Sequence, residues 1–258
     1  MLMLISPSKK LNFEDPARYS GLDNPQFLDY SQKLVNKLRQ YSPQQLAKLM
    51  GISDPLAHLN VGRFSHWQPP FNEANAKTAI YAFSGDVYTG LDADSLDKRS
   101  VNYLQKNLQI LSGLYGLLKP MDLIQPYRLE MGKKVSVDGA DNLYQFWKTT
   151  LTHAINEQLE KAKQPTIINL ASQEYFKVLD DKKIQGRIIT PIFKDLNKGK
   201  YQVLSFFAKK ARGLMVRFAA RNKINSPNKL KAFDCEGYQY NEALTNGDNW
   251  VFTRDKRS

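Results

Sequence analysis

Short apolar runs bounded by turn-forming residues recur along the chain, and these runs predict β-strands. The N-terminal run is interpreted as the first strand rather than as a signal peptide, because no basic residue precedes it and the apolar stretch is short. The predicted strands are Met1–Ser6, Ala79–Phe83, Thr166–Leu170, Arg187–Phe193, Tyr201–Phe207, Gly237–Tyr240 and Trp250–Thr253.

Apolar residues spaced at a helical period predict helices over Gln26–Gln40, Val101–Leu111 and Thr149–Lys163. Asn197–Gly199 and Thr245–Gly247 have the composition of hairpin turns. Helices dominate the first part of the chain and hairpins the last. The pattern therefore predicts an α+β fold, with one mixed domain over residues 1–258.

Composition excludes several classes of protein. Hydrophobic residues make up 42% and charged residues 24%, which is typical of a globular chain. The longest uncharged stretch, Asn107–Leu118, is too short to cross a bilayer. A single cysteine and three scattered histidines argue against a disulfide framework and against a metal site of the usual spacing. We expect a cytoplasmic protein with no cofactor and no metal.

The net charge of +12 is concentrated in one part of the chain. Leu196–Phe233, called here the basic segment, contains no Asp or Glu and carries +10 of that charge. Such a field favours a polyanionic partner. Its cations are Lys198, Lys200, Lys209, Lys210, Arg212, Arg217, Arg221, Lys223, Lys229 and Lys231.

Within the basic segment, Ser205–Phe218 is predicted to pass from a strand into a helix whose apolar stripe comprises Phe207, Ala211, Leu214 and Phe218. Backbone binding to nucleic acid is favoured over a solvated helix face or a membrane-surface helix. The basic side chains flank the stripe, with Lys210, Arg217 and Arg221 on one side and Lys209 and Arg212 on the other.

A short helical pair is predicted over residues 42–67. Ser42-Pro-Gln-Gln45 has the pattern of a capping box with proline at the first helical position. Gly51-Ile52-Ser53 then resembles the turn of the helix-hairpin-helix motif of DNA repair proteins, with serine where a second glycine usually stands. Gly51 can adopt a positive φ there, and the N-terminus of the next helix would suit a phosphate. An ordinary helical pair packed on the core is the alternative.

Polar residues on turn-rich segments are candidates for catalysis. A lysine beside a carboxylate could supply a nucleophile or a general base. A structural ion pair between Arg128 and Glu130 is the alternative. No Ser-His-Asp order, Walker loop or dinucleotide fingerprint is present. The candidates are Lys9, Asp86, Tyr127, Arg128 and Glu130.

Together these segments resemble the YaaA family of bacterial peroxide-stress proteins, most specifically through LSGLYGLLKPMDLIQPYRLEMG at 111–132. The other matching stretches are 4–9, 85–91, 143–147, 169–177, 205–218 and 236–238. The resemblance implies a cytoplasmic protein that limits unincorporated iron and oxidative damage. It also implies an α+β fold with a helix-hairpin-helix at Leu46–Ala57, a basic cleft partly on Lys209, Lys210 and Arg212, and double-stranded DNA binding.

The leading hypothesis is a DNA-binding protein of the peroxide stress response, with double-stranded or structured DNA contacted mainly through phosphates. No membrane and no stable protein partner are inferred. An enzyme acting on damaged DNA, of glycosylase or lyase type, is the alternative, and a third hypothesis is an iron-handling protein. The candidate DNA-binding residues are Gly51, Ile52, Ser53, Arg63, Lys209, Lys210, Arg212, Arg217 and Arg221.

Overall fold

The computed structural model describes residues 1–21 and 23–255. Its helices are α1 (Leu28–Leu38), α2 (Pro43–Met50), α3 (Asp54–His66), α4 (Ala79–Ala82), α5 (Asp86–Leu91), α6 (Lys98–Asn107), α7 (Leu143–Glu160), α8 (Gln173–Phe176) and α9 (Ser205–Arg221). Its strands are β1 (Leu2–Ile5), β2 (Lys10–Leu11), β3 (Lys77–Thr78), β4 (Phe83–Ser84), β5 (Leu108–Ser112), β6 (Gly116–Leu118), β7 (Leu123–Ile124), β8 (Thr166–Leu170), β9 (Arg187–Asn197), β10 (Lys200–Gln202), β11 (Gln239–Tyr240) and β12 (Asn249–Arg254).

An eight-stranded mixed sheet, in the order β11-β12-β9-β8-β1-β5-β6 with β10 paired to β9, organises the fold. The strands from β12 to β5 run parallel, and β6, β10 and β11 add antiparallel pairs. Every residue of β1 and β5 is buried. Burial of successive residues is typical of parallel strands that are covered on both faces.

The predicted mixed fold of helices and strands is confirmed, and so are both hairpin turns. The parallel order of the central strands goes beyond the prediction, because strand direction depends on long-range pairing rather than on local pattern. None of the described helices is long and apolar enough to cross a membrane.

Three element predictions are wrong in part. Residues 79–82, predicted as strand, form the single-turn helix α4. Its residues are all buried, and a short buried run does not distinguish helix from strand. The helix predicted to continue to Leu111 ends at Asn107, because Leu108–Ser112 pairs with β1. The strand predicted over 201–207 ends at Gln202, and α9 already begins at Ser205.

The position of α9 depends on a close approach to α5. A Cβ on Gly213 would lie 1.8 Å from the Val87 carbonyl oxygen, and one on Gly90 would lie 2.1 Å from the Lys210 carbonyl oxygen. Glycine is unfavourable in the interior of a helix. Its presence within α9 is explained by this close contact, which leaves no space for a side chain. Helix α9 also packs against β9 and α6.

Gly213→Ala should therefore destabilise the protein by about 1–3 kcal/mol, since the new methyl group must push two backbones apart. Gly62→Ala is the matched control, because a Cβ at this position on α3 meets no atom within 4 Å. Alanine there should stabilise the fold by about 0.5–1 kcal/mol. Urea unfolding of both variants measures the two effects, and equal stabilities would contradict the close approach.

Candidate functional site

Two serines join the carboxyl ends of the adjacent parallel strands β1 and β8. The Ser172 N–H donates to Ser6 Oγ at 2.8 Å, and Ser6 Oγ lies 3.2 Å from Ser172 Oγ. Tyr88, on α5, donates from its hydroxyl to the Ser6 carbonyl oxygen at 3.1 Å. The loops that follow the two strands are thereby held at one edge of the sheet.

A small pocket lies at this edge, and we call it the Glu130 pocket. It is formed by the loop after β1, the segment that precedes Gly132, and α8. Its cavity volume is about 10 Å³, which is room for about one water molecule. Its polar and aromatic walls come from Ser8, Lys9, Tyr127, Arg128, Glu130 and Tyr175.

Glu130 is the buried charge of the pocket, with 4% of its surface exposed. Its Oε1 accepts from Arg128 Nη2 at 3.1 Å and Nε at 3.3 Å, and it lies 3.3 Å from Lys9 Nζ. Its Oε2 is buried and has no hydrogen-bond partner among residues 1–21 and 23–255. One oxygen is thus shared by two cations, whereas the other is available to a donor.

The two tyrosines of the pocket are neutral groups. Burial raises the pKa of Tyr127 and that of Tyr175 well above the ordinary value. The Tyr127 hydroxyl lies 2.7 Å from Ser112 Oγ, so this phenol is already used within the fold. Both side chains can shape a ligand site and donate hydrogen bonds, but neither is a proton acceptor near neutral pH.

The structure brings together four of the five predicted catalytic candidates, namely Lys9, Tyr127, Arg128 and Glu130. Asp86 is not a wall of the pocket and forms the first turn of α5. The predicted ion pair of Arg128 and Glu130 is present. The Lys9 side chain is 64% exposed and ion-paired, unlike the desolvated lysine that serves as a nucleophile.

Sequence reasoning missed the residues that the β8 end contributes. Ser172 lies two residues after the apolar strand β8 and Tyr175 lies in α8, which follows it, much as Ser8 and Lys9 follow β1. A polar residue immediately after a buried parallel strand is the signal that could have identified them.

The predicted helical pair is present as α2 and α3. Ser42 and Gln45 form the predicted capping box, and Gly51 adopts φ +63° at the end of α2. Ser53 occupies the N-cap position of α3 without a side-chain capping hydrogen bond. Ile52 is partly buried against the core. Whether this pair acts as a helix-hairpin-helix motif stays a prediction.

One cation, Lys133, lies near this helical pair, and another, Arg63, belongs to it. Lys133 Nζ is the nearest atom to a Cβ built at Gly51, at 3.9 Å. Arg63 on α3 is half-buried, and its pKa is lowered by burial and by the neighbouring Arg128. The helical pair therefore approaches the Glu130 pocket, an arrangement that the sequence did not indicate.

The cations of α9 differ in their surroundings. Lys209 and Arg221 are exposed. Lys210 Nζ lies 2.5 Å from Glu236 Oε1, and Arg217 Nη1 lies 3.2 Å from Asp92 Oδ2. Burial lowers the pKa of Arg212, which is partly buried.

The stripe predicted for α9 corresponds only in part to its buried face. Ala211 is fully buried, whereas Phe207, Leu214 and Phe218 are only partly covered. Both α5 and β9 pack against α9, and the close approach of α5 at Gly213 lies outside the predicted stripe. The residues that are buried include Ala208, Ala211, Met215, Val216, Ala219 and Ala220.

A buried ion pair connects this helix to the sheet. Arg254 donates from Nε to Asp195 Oδ1 at 2.8 Å, and Tyr238 donates from its hydroxyl to Asp195 Oδ2 at 2.9 Å. Arg254 also lies 3.4 Å from Glu236, the partner of Lys210. The orientation of α9 thus depends on a charge network that begins in β9 and β12.

Comparison with known proteins gives the family. A family model described as "Peroxide stress protein YaaA" matches residues 1–244. The chain belongs to the YaaA family. All candidate residues named above lie within the matched stretch of this YaaA family member.

Curated relatives match over their full length. The chain is 50% identical over 256 residues to a "UPF0246 protein" of Chromobacterium violaceum, covering 99% of this chain and 100% of the relative. It is 49% identical over 255 residues to a "UPF0246 protein" of Hahella chejuensis, with 99% and 100% covered. A third relative, from Shewanella baltica, is 51% identical over 257 residues, with 100% of both chains covered. Membership of the YaaA family associates the chain with peroxide stress.

Proposed function

We propose that this chain is a cytoplasmic DNA-binding protein of the hydrogen peroxide stress response. It limits oxidative damage to DNA and protein and lowers unincorporated iron. The observation that supports DNA binding is that most cations of the basic segment form no ion pair with a carboxylate within the described residues. Within the described part of the chain, only Lys210 and Arg217 of its ten cations form ion pairs with carboxylates. The remaining charge favours a phosphate backbone as partner.

Exposed apolar side chains beside these cations support a nucleic acid in particular. Phe206 is 58% exposed and Val203 is 53% exposed, next to Lys209 at the start of α9. An aromatic ring among cations is a surface on which an unpaired base of structured DNA, such as a junction, can stack. The partner in this proposal is double-stranded or structured DNA, contacted mainly through phosphates.

The lowering of unincorporated iron rests on the family resemblance. Among residues 1–21 and 23–255, no group of three or more His, Cys, Asp or Glu residues is arranged to hold a metal ion.

A nucleic-acid-processing enzyme is the second candidate function. It is favoured by the convergence of Lys9, Arg128 and Glu130 in one pocket. The separate position of Asp86 and the exposed, ion-paired Lys9 favour binding over lyase chemistry.

DNA binding should weaken with salt, with log Kd against log [salt] having a slope of about 0.9 for each phosphate neutralised on duplex DNA. Lys209→Ala and Arg221→Ala should each lower that slope by about 0.9, because both side chains are exposed cations of α9. Lys182→Ala is the control, since Lys182 is an exposed cation outside the basic segment. Duplex, single-stranded and junction DNA are compared by fluorescence anisotropy. Binding that is indifferent to salt would contradict the proposal.

Gly51→Val should weaken DNA binding, because a β-branched residue resists the positive φ that shapes this turn. Gly139→Val is the matched control: Gly139 has φ +78° and open space around its Cβ position, but lies outside the helical pair. Circular dichroism verifies that both variants fold. If both bind DNA as the unmodified protein does, the helical pair is an ordinary packing element.

A further inference from the structure

The connections that leave the neighbouring strands β1 and β8 lead towards opposite edges of the sheet, and the Glu130 pocket lies where they diverge. After β1 the chain leads to β5 on one side of the sheet, and after β8 it leads to β9 on the other side. Ligands of open parallel sheets bind in the crevice outside the carboxyl ends of two strands whose connections diverge in this way. The Ser6–Ser172 contact marks this point, and the Glu130 pocket opens beside it.

The free oxygen of Glu130 requires a hydrogen-bond donor. A buried acceptor without a partner destabilises the fold, and more so when the group is charged. The space beside Glu130 is about 10 Å³, so the group that reaches Oε2 is a single water, amino or hydroxyl group. The buried Glu130 Oε2 and the small space beside it thus favour a small group that donates an N–H or O–H hydrogen bond.

The surroundings of that donor site are cationic. Arg128 and Lys9 both contact Glu130. The pKa of Arg63 is lowered by burial and, to a smaller extent, by the neighbouring Arg128, so a third cation lies nearby. Two cations contact the Glu130 carboxylate and a third lies near Arg128, which leaves an excess of positive charge over that carboxylate. Arginine forks and lysine ammonium groups are the side chains that proteins use to hold phosphate.

We propose that a nucleoside 5′-phosphate binds at the mouth of the Glu130 pocket, outside the one-water space, where the Lys9 side chain is 64% exposed. Lys9 and Arg128 hold the phosphate, and Glu130 Oε2 accepts a hydrogen bond from an N–H or O–H group of the same ligand. The choice of a nucleotide rests on the proposed DNA-binding function. Two sources share this chemistry, a free mononucleotide and the phosphorylated end of a DNA strand.

Isothermal titration calorimetry with deoxyadenosine 5′-monophosphate, deoxyadenosine and inorganic phosphate tests the proposal on the full-length chain. The monophosphate should bind at least about tenfold more tightly than either fragment, because only it uses both halves of the site. Equal binding of the monophosphate and inorganic phosphate would overturn the proposal, as would no binding of the monophosphate at any accessible concentration.

Two substitutions separate the roles of the charges. Glu130→Gln should weaken the monophosphate by about tenfold, because a charged acceptor is lost, yet leave inorganic phosphate at least as tightly bound. Arg128→Lys should weaken both probes, and it preserves the charge beside Glu130 so that the fold is maintained. Lys182→Ala should change neither, because Lys182 is an exposed cation outside both the pocket and the basic segment. An unaltered affinity of the monophosphate in Glu130→Gln would also overturn the proposal.

Duplexes with a 5′-phosphate or a 5′-hydroxyl distinguish the two sources. A preference of about fivefold or more for the phosphorylated end, lost in Glu130→Gln, identifies the DNA end as the ligand. Binding of the monophosphate without that preference identifies the free nucleotide. A failure of duplex binding in general would count against the proposed function alone, because the monophosphate titration does not depend on it.

Discussion

A carboxylate buried to the extent of Glu130 is stable only when cations or donors surround it, and this requirement holds the candidate site together. Arg128 reaches it from two residues away, whereas Lys9 comes from the loop after β1. Glu174 on α8 accepts from the Gly132 N–H, which ties the end of the same segment to the β8 loop. The loop after β1 and the segment around residue 130 therefore meet at one paired charge, and the Glu174 contact adds α8 to them.

The charges of the basic segment, in contrast, are mostly not paired with carboxylates. The basic segment is a region in which cations are left without carboxylates, apart from Lys210 and Arg217 within the described residues. Those two ion pairs fix α9 to Glu236 and Asp92 instead of contributing to an external field. The buried pair of Arg254 and Asp195 then connects Glu236 to the sheet. The protein thus uses some of its charges to hold α9 in place and leaves others, such as Lys209 and Arg221, exposed to a polyanion.

Local features of this fold could be predicted from the sequence. The capping box at Ser42 and the positive φ of Gly51 depend on neighbouring residues, and the Arg128–Glu130 pair depends on a spacing of two. The strands at 166–170 and 187–193 were identified from apolar runs that need no tertiary information.

The remaining features depend on contacts between distant residues. The pairing of Lys9 with Glu130 follows from the parallel alignment of β1 with β5 and β8, which no local pattern specifies. The approach of Arg63 to Arg128 follows from the docking of α3, where Trp67 Nε1 donates to the Tyr115 hydroxyl at 2.9 Å. The position of Asp86 after a glycine indicates a loop or a turn, but it does not specify where the side chain lies. In the structure Asp86 begins α5 and does not line the Glu130 pocket.

We propose that DNA contacts the basic segment and the helical pair, and that a nucleotide contacts the Glu130 pocket. Hydrogen–deuterium exchange measured by mass spectrometry, with and without saturating duplex DNA, tests it most directly. With duplex DNA, we expect slower exchange in peptides covering residues 51–66 and 205–221. In a second measurement with deoxyadenosine 5′-monophosphate, we expect slower exchange in peptides covering residues 6–9 and 127–132. Duplex-dependent protection confined to other parts of the chain, or no protection at all, would contradict it.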